Sequence, residues 1–355
     1  MSRPLVSVLI DTYNYGRFLE EAISSVLEQD FPAADREIVV VDDGSTDSTP
    51  EILGKFEPAI RVLRKENGGQ ASAFNAGIPE CRGEIVSFLD ADDWWTPDKL
   101  SRVVKTMEED RAIGFVGHGI FTVFPDGSRR KETLGDGFRF QANDLAGAKL
   151  FRLRCSFMGT SRMTVRKSLL ERIGRVPEAI VIQADEYLYT MSAALMTVQI
   201  LPEALTYYRL HNENRFMTAD GDPEKLRRKQ QSLAVLVSTL SERLEEAGIP
   251  REVRAAILAY TEACADQMRL SLDGGWPWQT FHTEWQAYRV THPDAPVSHQ
   301  MFKSLLLLST LVTSPKKFYK TQQAVGRSEW YRRLRERWLP NPEMRHIRKE
   351  GRDRG

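Results

Sequence analysis

The first 117 residues of the 355-residue chain alternate between two periodicities, and few folds accommodate that alternation. Short apolar runs rich in β-branched residues fall at 5–10, 37–41, 60–63, 84–89 and 113–116, each bounded by polar residues, Gly or Pro. Between them lie stretches with helical spacing at 17–29, 49–56, 70–78 and 97–109; Leu19, Ile23, Val26 and Leu27 mark the apolar stripe of the first. Runs that are apolar on both faces belong to strands covered on both sides, and strand-helix alternation makes them parallel. The pattern predicts an α/β chain with a mostly parallel, doubly wound sheet.

Beyond residue 117 the pattern changes. Residues 120–124, the dipeptide Asp126-Gly127 and the polar run after it predict a hairpin, and 144–153 a helix. Strands are expected at 159–165 and 198–208, flanking a helix at 184–196. Helical periodicity dominates from Pro223 onward, at 226–247, 252–270 and 301–311. The turn cluster Asp220-Gly221-Asp222-Pro223 suggests a boundary near residue 220. This gives a catalytic region 1–220, with halves 1–117 and 118–220, and a helical region 221–355.

Charge and cysteine usage narrow the classes. Lys+Arg and Asp+Glu balance at 49 each, but residues 301–355 hold 14 against 5, so residues 1–300 hold 35 against 44. An acidic body carries a basic tail of net +9. Cys81, Cys155 and Cys264 are too scattered for a disulfide framework or a zinc site, which fits a reducing, cytoplasmic setting. The apolar run at 5–10 is too short for a signal peptide, and no run approaches the roughly 20 apolar residues of a spanning helix.

In open parallel sheets ligands bind beyond the carboxyl ends of the strands. Asp11-Thr12-Tyr13-Asn14 follows the first strand, Asp42-Asp43-Gly44-Ser45-Thr46-Asp47 the second, Glu66-Asn67-Gly68-Gly69-Gln70 the third and Asp90-Ala91-Asp92-Asp93 the fourth. One such loop has an ordinary reading as a turn or helix cap; four on one rim make a site. Several carboxylates after a buried strand call for a cation, and oxygen ligands favour Mn²⁺ or Mg²⁺. The competing structural reading has Asp92 and Asp93 capping the helix that follows.

These strings in this order, with Asn75-Ala76-Gly77 between the last two, resemble glycosyltransferase family 2, the inverting enzymes of the GT-A fold. The resemblance covers about 210 residues. It implies transfer of a sugar from a nucleotide-diphosphate donor, most often a UDP-sugar, to a hydroxyl of a glycan or lipid-linked acceptor, as in polysaccharide or cell-envelope biosynthesis. Thr12 and Tyr13 would line the nucleoside pocket, with Asp43 or Asp42 facing the base. Asn67 and Gly68 would lie near the nucleotide, Asp90 would face the sugar or ribose, and Asp92 would hold the metal. Asn14, Asn75 and Ala91 fall within the donor-binding strings. Many members have Arg where this chain has Phe74, which removes a cation from the donor side.

Two later strings extend the likeness. Gln183-Ala184-Asp185-Glu186-Tyr187-Leu188 resembles the acidic pair that supplies the family's catalytic base, with Glu186 at the base position and Asp185 beside it. Tyr208-Arg209-Leu210-His211 resembles a stretch whose His lies by the metal and diphosphate. Adjacent carboxylates raise one another's pKa, which suits a base working near neutrality. Two rivals stand against a transferase. A haloacid-dehalogenase-type phosphatase expects Thr or Val where this chain has Trp94, and its nucleophile after the first strand; a catalytically inactive sugar-nucleotide binding module keeps the same residues without turnover.

In the tail, Leu305-Leu306-Leu307-Leu308 precedes Lys316, Lys317 and Phe318, then Trp330, Tyr331 and Trp338 among arginines. Too short to span, it is expected to lie on an anionic membrane surface, the inner face of the cytoplasmic membrane, or else to pack on its own domain or a partner. No nucleic-acid motif accompanies the charge.

Overall fold

The computed structural model describes residues 5–154, 158–181, 183–211, 223–276, 278–291 and 296–308. The boundary expected near residue 220 and the tail beyond 308 lie outside them. The N-terminal half follows the predicted alternation: β1 (Val6–Thr12), α1 (Gly16–Leu27), β2 (Arg36–Asp42), α2 (Thr49–Phe56), β3 (Arg61–Arg64), α3 (Gly69–Glu80) and β4 (Ile85–Asp90). A two-residue strand β5 (Trp94–Trp95), α4 (Lys99–Glu109), β6 (Ile113–Val123), β7 (Arg129–Glu132) and β8 (Phe138–Phe140) follow. After α5 (Leu145–Arg154) come β9 (Thr164–Arg166), α6 (Lys167–Ile173), α7 (Ala184–Leu195) and β10 (Thr197–Arg209). Four helices complete the described chain: α8 (Pro223–Glu246), α9 (Arg251–Asp273), α10 (Trp278–Thr291) and α11 (Val297–Leu308).

One mixed sheet runs β3-β2-β1-β4-β9-β6-β10-β5. Its first four strands are parallel, as are β6 and β10, and β9 runs antiparallel between the two blocks. The Asp126-Gly127 hairpin is present as β6 and β7, with Gly127 at φ +81°, a conformation Gly adopts freely. The expected strand at 159–165 is mostly a 3-10 turn over Thr160–Arg162, leaving only Thr164–Arg166 in the sheet. Side-chain bonding is the reason: the Ser161 hydroxyl donates to Asp93 Oδ2 at 2.6 Å, and the Ser161 carbonyl accepts from the Trp95 indole and the Thr206 hydroxyl.

Apolar layers cover both faces. On one, Leu19 and Ile23 of α1 and Leu100 and Val103 of α4 pack on Val8, Ile10 and Val40. On the other, α3, α5 and α7 pack on Leu9, Val39 and Phe88, and the same core continues into Leu236 and Leu240 of α8 and Ile257 of α9. Phe74, at the position where the resemblance expects arginine, is fully buried with its ring 5.2 Å from that of Phe88.

Asn75, expected at the donor, is instead a clamp. Its Nδ2 donates to the Val176 carbonyl at 2.7 Å, and the Val176 N–H donates to its Oδ1 at 2.8 Å, joining α3 to the segment that leads into α7. Asn75→Ala strands a buried N–H and a buried carbonyl, for about 1–3 kcal/mol. A lower melting temperature with unchanged donor affinity is expected, read by thermal denaturation and donor titration.

Candidate functional site

The site begins where β1 and β4 end in register, which sets Asp11 beside Asp90. The chain then turns through Ala91, and oxygens of Asp90, Asp92 and Asp93 come within 4.8 Å of one another. Burial, then the charges of Asp11, Asp92, Asp93 and Asp185, hold the Asp90 carboxyl well above the ordinary carboxylate range. Burial and the neighbouring Asp92 do the same to Asp93. Asp93 is pinned by its partners, the Ser161 hydroxyl and the Arg209 N–H at 3.0 Å. Neither Asp92 nor Asp93 caps α4, whose preceding residue is Asp98.

Asp92 and His211, both expected at a metal, meet directly: His211 Nε2 lies 2.9 Å from Asp92 Oδ2. Arg209 holds this corner, its Nε donating to the Asp92 carbonyl at 3.0 Å while its guanidinium lies 4.4 Å from the Trp94 ring centre and pairs with Glu21. Carboxylate oxygens grouped at this spacing suit a hard divalent cation such as Mg²⁺ or Mn²⁺. Asp92 and Asp90 would supply its ligands, with the His211 imidazole alongside.

The acidic pair on α7 divides in a way its sequence alignment did not anticipate. Asp185 is the member that acts on the acidic centre. Its charge acts on Asp90, and between them Gln70 Nε2 donates to Thr160 Oγ1 at 3.1 Å and to Asp90 Oδ1 at 3.2 Å. Burial lifts the Asp185 carboxyl to about 7 against the pull of its main-chain hydrogen bonds, and Glu186 adds to the lift. Glu186, expected at the base position, turns instead into the protein interior. Its Oε1 accepts from the Thr261 hydroxyl of α9 at 2.7 Å and its Oε2 from Gln183 Nε2 at 2.8 Å, so neither oxygen is offered to the acidic centre.

The remaining loops fold on one another. Asn14, at φ +57°, receives the Thr46 N–H on its Oδ1 at 2.8 Å and donates its own N–H to the Ser45 hydroxyl at 2.9 Å, tying the β1 loop to the β2 loop. Asp42 accepts the Ser45 N–H at 2.9 Å. Asp43 accepts the N–H groups of Gly68 and Gly69 and the Lys65 ammonium, the shortest at 2.7 Å, and so anchors the β3 loop; Asn67 Nδ2 donates to its carbonyl. Gly44 needs to be glycine: at φ +82° an added Cβ would lie 2.8 Å from the Asn67 nitrogen. Thr12 is buried with its hydroxyl unpartnered among the described residues, and Tyr13 beside it is half-buried.

Sequence reading missed Thr160, Ser161 and Thr261. Each is a neutral side chain whose role comes from a partner many residues away, and nothing local marks it.

The family model described as glycosyl transferase family 2 matches residues 7–174. A glycosyltransferase of Nostoc sp. is 34% identical over 233 residues, 64% of this chain and 71% of the relative. The crystal structure of S. aureus TarS 1–349 in complex with UDP-GlcNAc superimposes with a TM-score of 0.56 at 20% identity, covering 81% of each chain. A mannosyltransferase of Pyrobaculum calidifontis in complex with GDP-Man and Mn²⁺ gives 0.52 at 21% identity, covering 91% of this chain and 85% of that one. The two structures share the fold. The family match over the sheet that builds the acidic centre, together with the Nostoc relative, places this chain in glycosyltransferase family 2.

Proposed function

We propose that the protein is an inverting, metal-assisted glycosyltransferase that moves a sugar from a nucleoside diphosphate to a hydroxyl of a glycan or lipid-linked saccharide in polysaccharide or cell-envelope biosynthesis. The observation that carries this reading is the acidic centre at the strand ends, where oxygens of Asp90, Asp92 and Asp93 gather within 4.8 Å and the buried carboxyl of Asp185, lifted by burial to about 7, acts on Asp90. A carboxylate near neutrality in that position suits a general base.

The donor lies with its nucleoside against Thr12 and Tyr13, over the loops that Asp42 and Asp43 brace, and its diphosphate toward Asp92 and His211. Asp92 and Asp90 would hold a divalent cation there, which would supply positive charge against the charge gathering on the departing diphosphate. Asp185 takes the proton of the acceptor hydroxyl as that oxygen bonds to the anomeric carbon from the face opposite the leaving group. The bond from carbon to the diphosphate oxygen breaks in the same displacement, and the configuration inverts. TarS with UDP-GlcNAc and the mannosyltransferase with GDP-Man and Mn²⁺ support a diphosphate donor and a metal; a UDP-sugar is the first to test. A binding module without turnover has no use for a buried base at this position.

The experiment follows transfer to a hydroxyl acceptor by nuclear magnetic resonance, which also reads the anomeric configuration of the product. Asp92→Ala, and the native enzyme in excess chelator, should each lose transfer at least 10²-fold, while Asp92→Ala stays folded. Full activity in chelator, or retained configuration, contradicts the reading.

We also propose that the C-terminal region docks on an anionic membrane, where a lipid-linked acceptor is found. No described helix is long and apolar enough to cross a bilayer. Support comes from α11, where Val297, Met301, Leu305 and Leu308 are exposed at helical spacing, immediately before the basic and aromatic stretch. Full-length protein should cosediment with phosphatidylserine vesicles at low salt and less so at high salt. Met301→Glu with Leu305→Glu, or a chain ending at Ser309, should lose binding; equal sedimentation of all three forms contradicts the anchor.

A further inference from the structure

The buried carboxylate of Glu186 is not used by the chemistry above, yet both of its oxygens are hydrogen-bonded. It sits in the first turn of α7, next to Asp185, and is only 6% exposed. Three elements converge on it. Thr261, on α9, donates its hydroxyl to Oε1 at 2.7 Å; Gln183, just before α7, donates Nε2 to Oε2 at 2.8 Å; and the buried guanidinium of Arg152, on α5, acts on it electrostatically while its Nε donates to the Ala256 carbonyl of α9 at 3.2 Å.

Gln183 carries a second sign of constraint. Its backbone is left-handed, at φ +73° and ψ +36°, a conformation that a residue with a long side chain rarely holds unless its surroundings impose it. The bond from Gln183 to Glu186 closes that turn, and the turn sets where α7 begins. Since the Glu186 N–H donates to Asp185 Oδ1 at 2.8 Å, the main chain of one residue also orients the carboxylate of the other.

We propose that Glu186 is a positioning residue, and that the α9 helix, through Thr261, holds it so that Asp185 presents its carboxylate to the acidic centre. The inference rests on the reading of Asp185 as base. It makes the C-terminal helices part of the catalytic apparatus, although they lie outside the residues that match the family model. A hydrogen bond between side chains 75 residues apart then does what a local cap does in other helices. Small displacements of a reacting group are costly in rate, about 10²-fold for an ångström.

The test compares Thr261→Val, which keeps the shape and removes the donor, with Thr261→Ser, which keeps the donor, in the full-length enzyme with Asp185→Asn alongside. Thr261→Val should lower kcat about tenfold to a hundredfold with the donor KM within about twofold, and Thr261→Ser should restore kcat. A Thr261→Val enzyme with native kcat, one whose donor KM rises in step with the fall in kcat, or one that no longer folds would each overturn the inference, because the contact would then be dispensable or purely structural. Those outcomes are separable from failure of the base itself: an active Asp185→Asn refutes the base, whereas an inactive Asp185→Asn beside a fully active Thr261→Val refutes only the brace.

Discussion

Like charge held at one end of a sheet is the constraint to which the rest of the molecule answers. Parallel strands β1 and β4 end together and deliver Asp11 and Asp90 side by side, and the turn after β4 adds Asp92 and Asp93. Anions so placed repel, and burial deprives them of water. Around them stand the pins that hold the geometry: Ser161 and the Arg209 N–H on Asp93, His211 on Asp92, Gln70 on Asp90. The arrangement opposes folding to the extent that it is charged. For Asp185 the sign is explicit: a carboxyl raised from 3.8 to about 7 stabilises the fold fully below 3.8, and that contribution is lost as the pH rises through about 7. Function at neutral pH thus draws on stability supplied by the apolar layers elsewhere.

Those layers explain why the C-terminal helices belong with the sheet. Leu233, Leu236, Leu240 and Leu244 of α8 and Val253 and Ile257 of α9 are in one apolar cluster with Tyr187 and Leu188 of α7. The helix that carries the acidic pair is therefore held between the sheet and α8 and α9. Its polar first turn meets Thr261 at the end of that same contact.

Much of this was legible in the sequence because it is local. The first four strands and their helices follow from runs of β-branched residues and from apolar spacing, and the strand ends follow from the fold class. What was not legible depends on distant partners. Trp94 and Trp95 form a strand only because Tyr207 and Thr206 of β10 lie opposite them. The segment at 159–165 has the composition of a strand, yet Ser161 bonds Asp93, Trp95 and Thr206 and bends it into a turn. Asn75 sits in a donor-like string, but its amide meets Val176, a residue 101 positions away. Choosing between Asp185 and Glu186 needs the direction each side chain takes at the start of a helix, and adjacent helical residues point about 100° apart.

In the proposed reaction Asp185 accepts the proton of the acceptor. The most direct measurement is the pH dependence of kcat/KM with a saturating divalent cation, for the native enzyme and for Asp185→Asn. Native activity should rise with pH through about 7, as Asp185 loses its proton, and Asp185→Asn should be inactive throughout. A native profile that stays flat from neutrality down to the ordinary aspartate value of 3.8, or an Asp185→Asn enzyme that keeps both the rate and the acid limb, would contradict it.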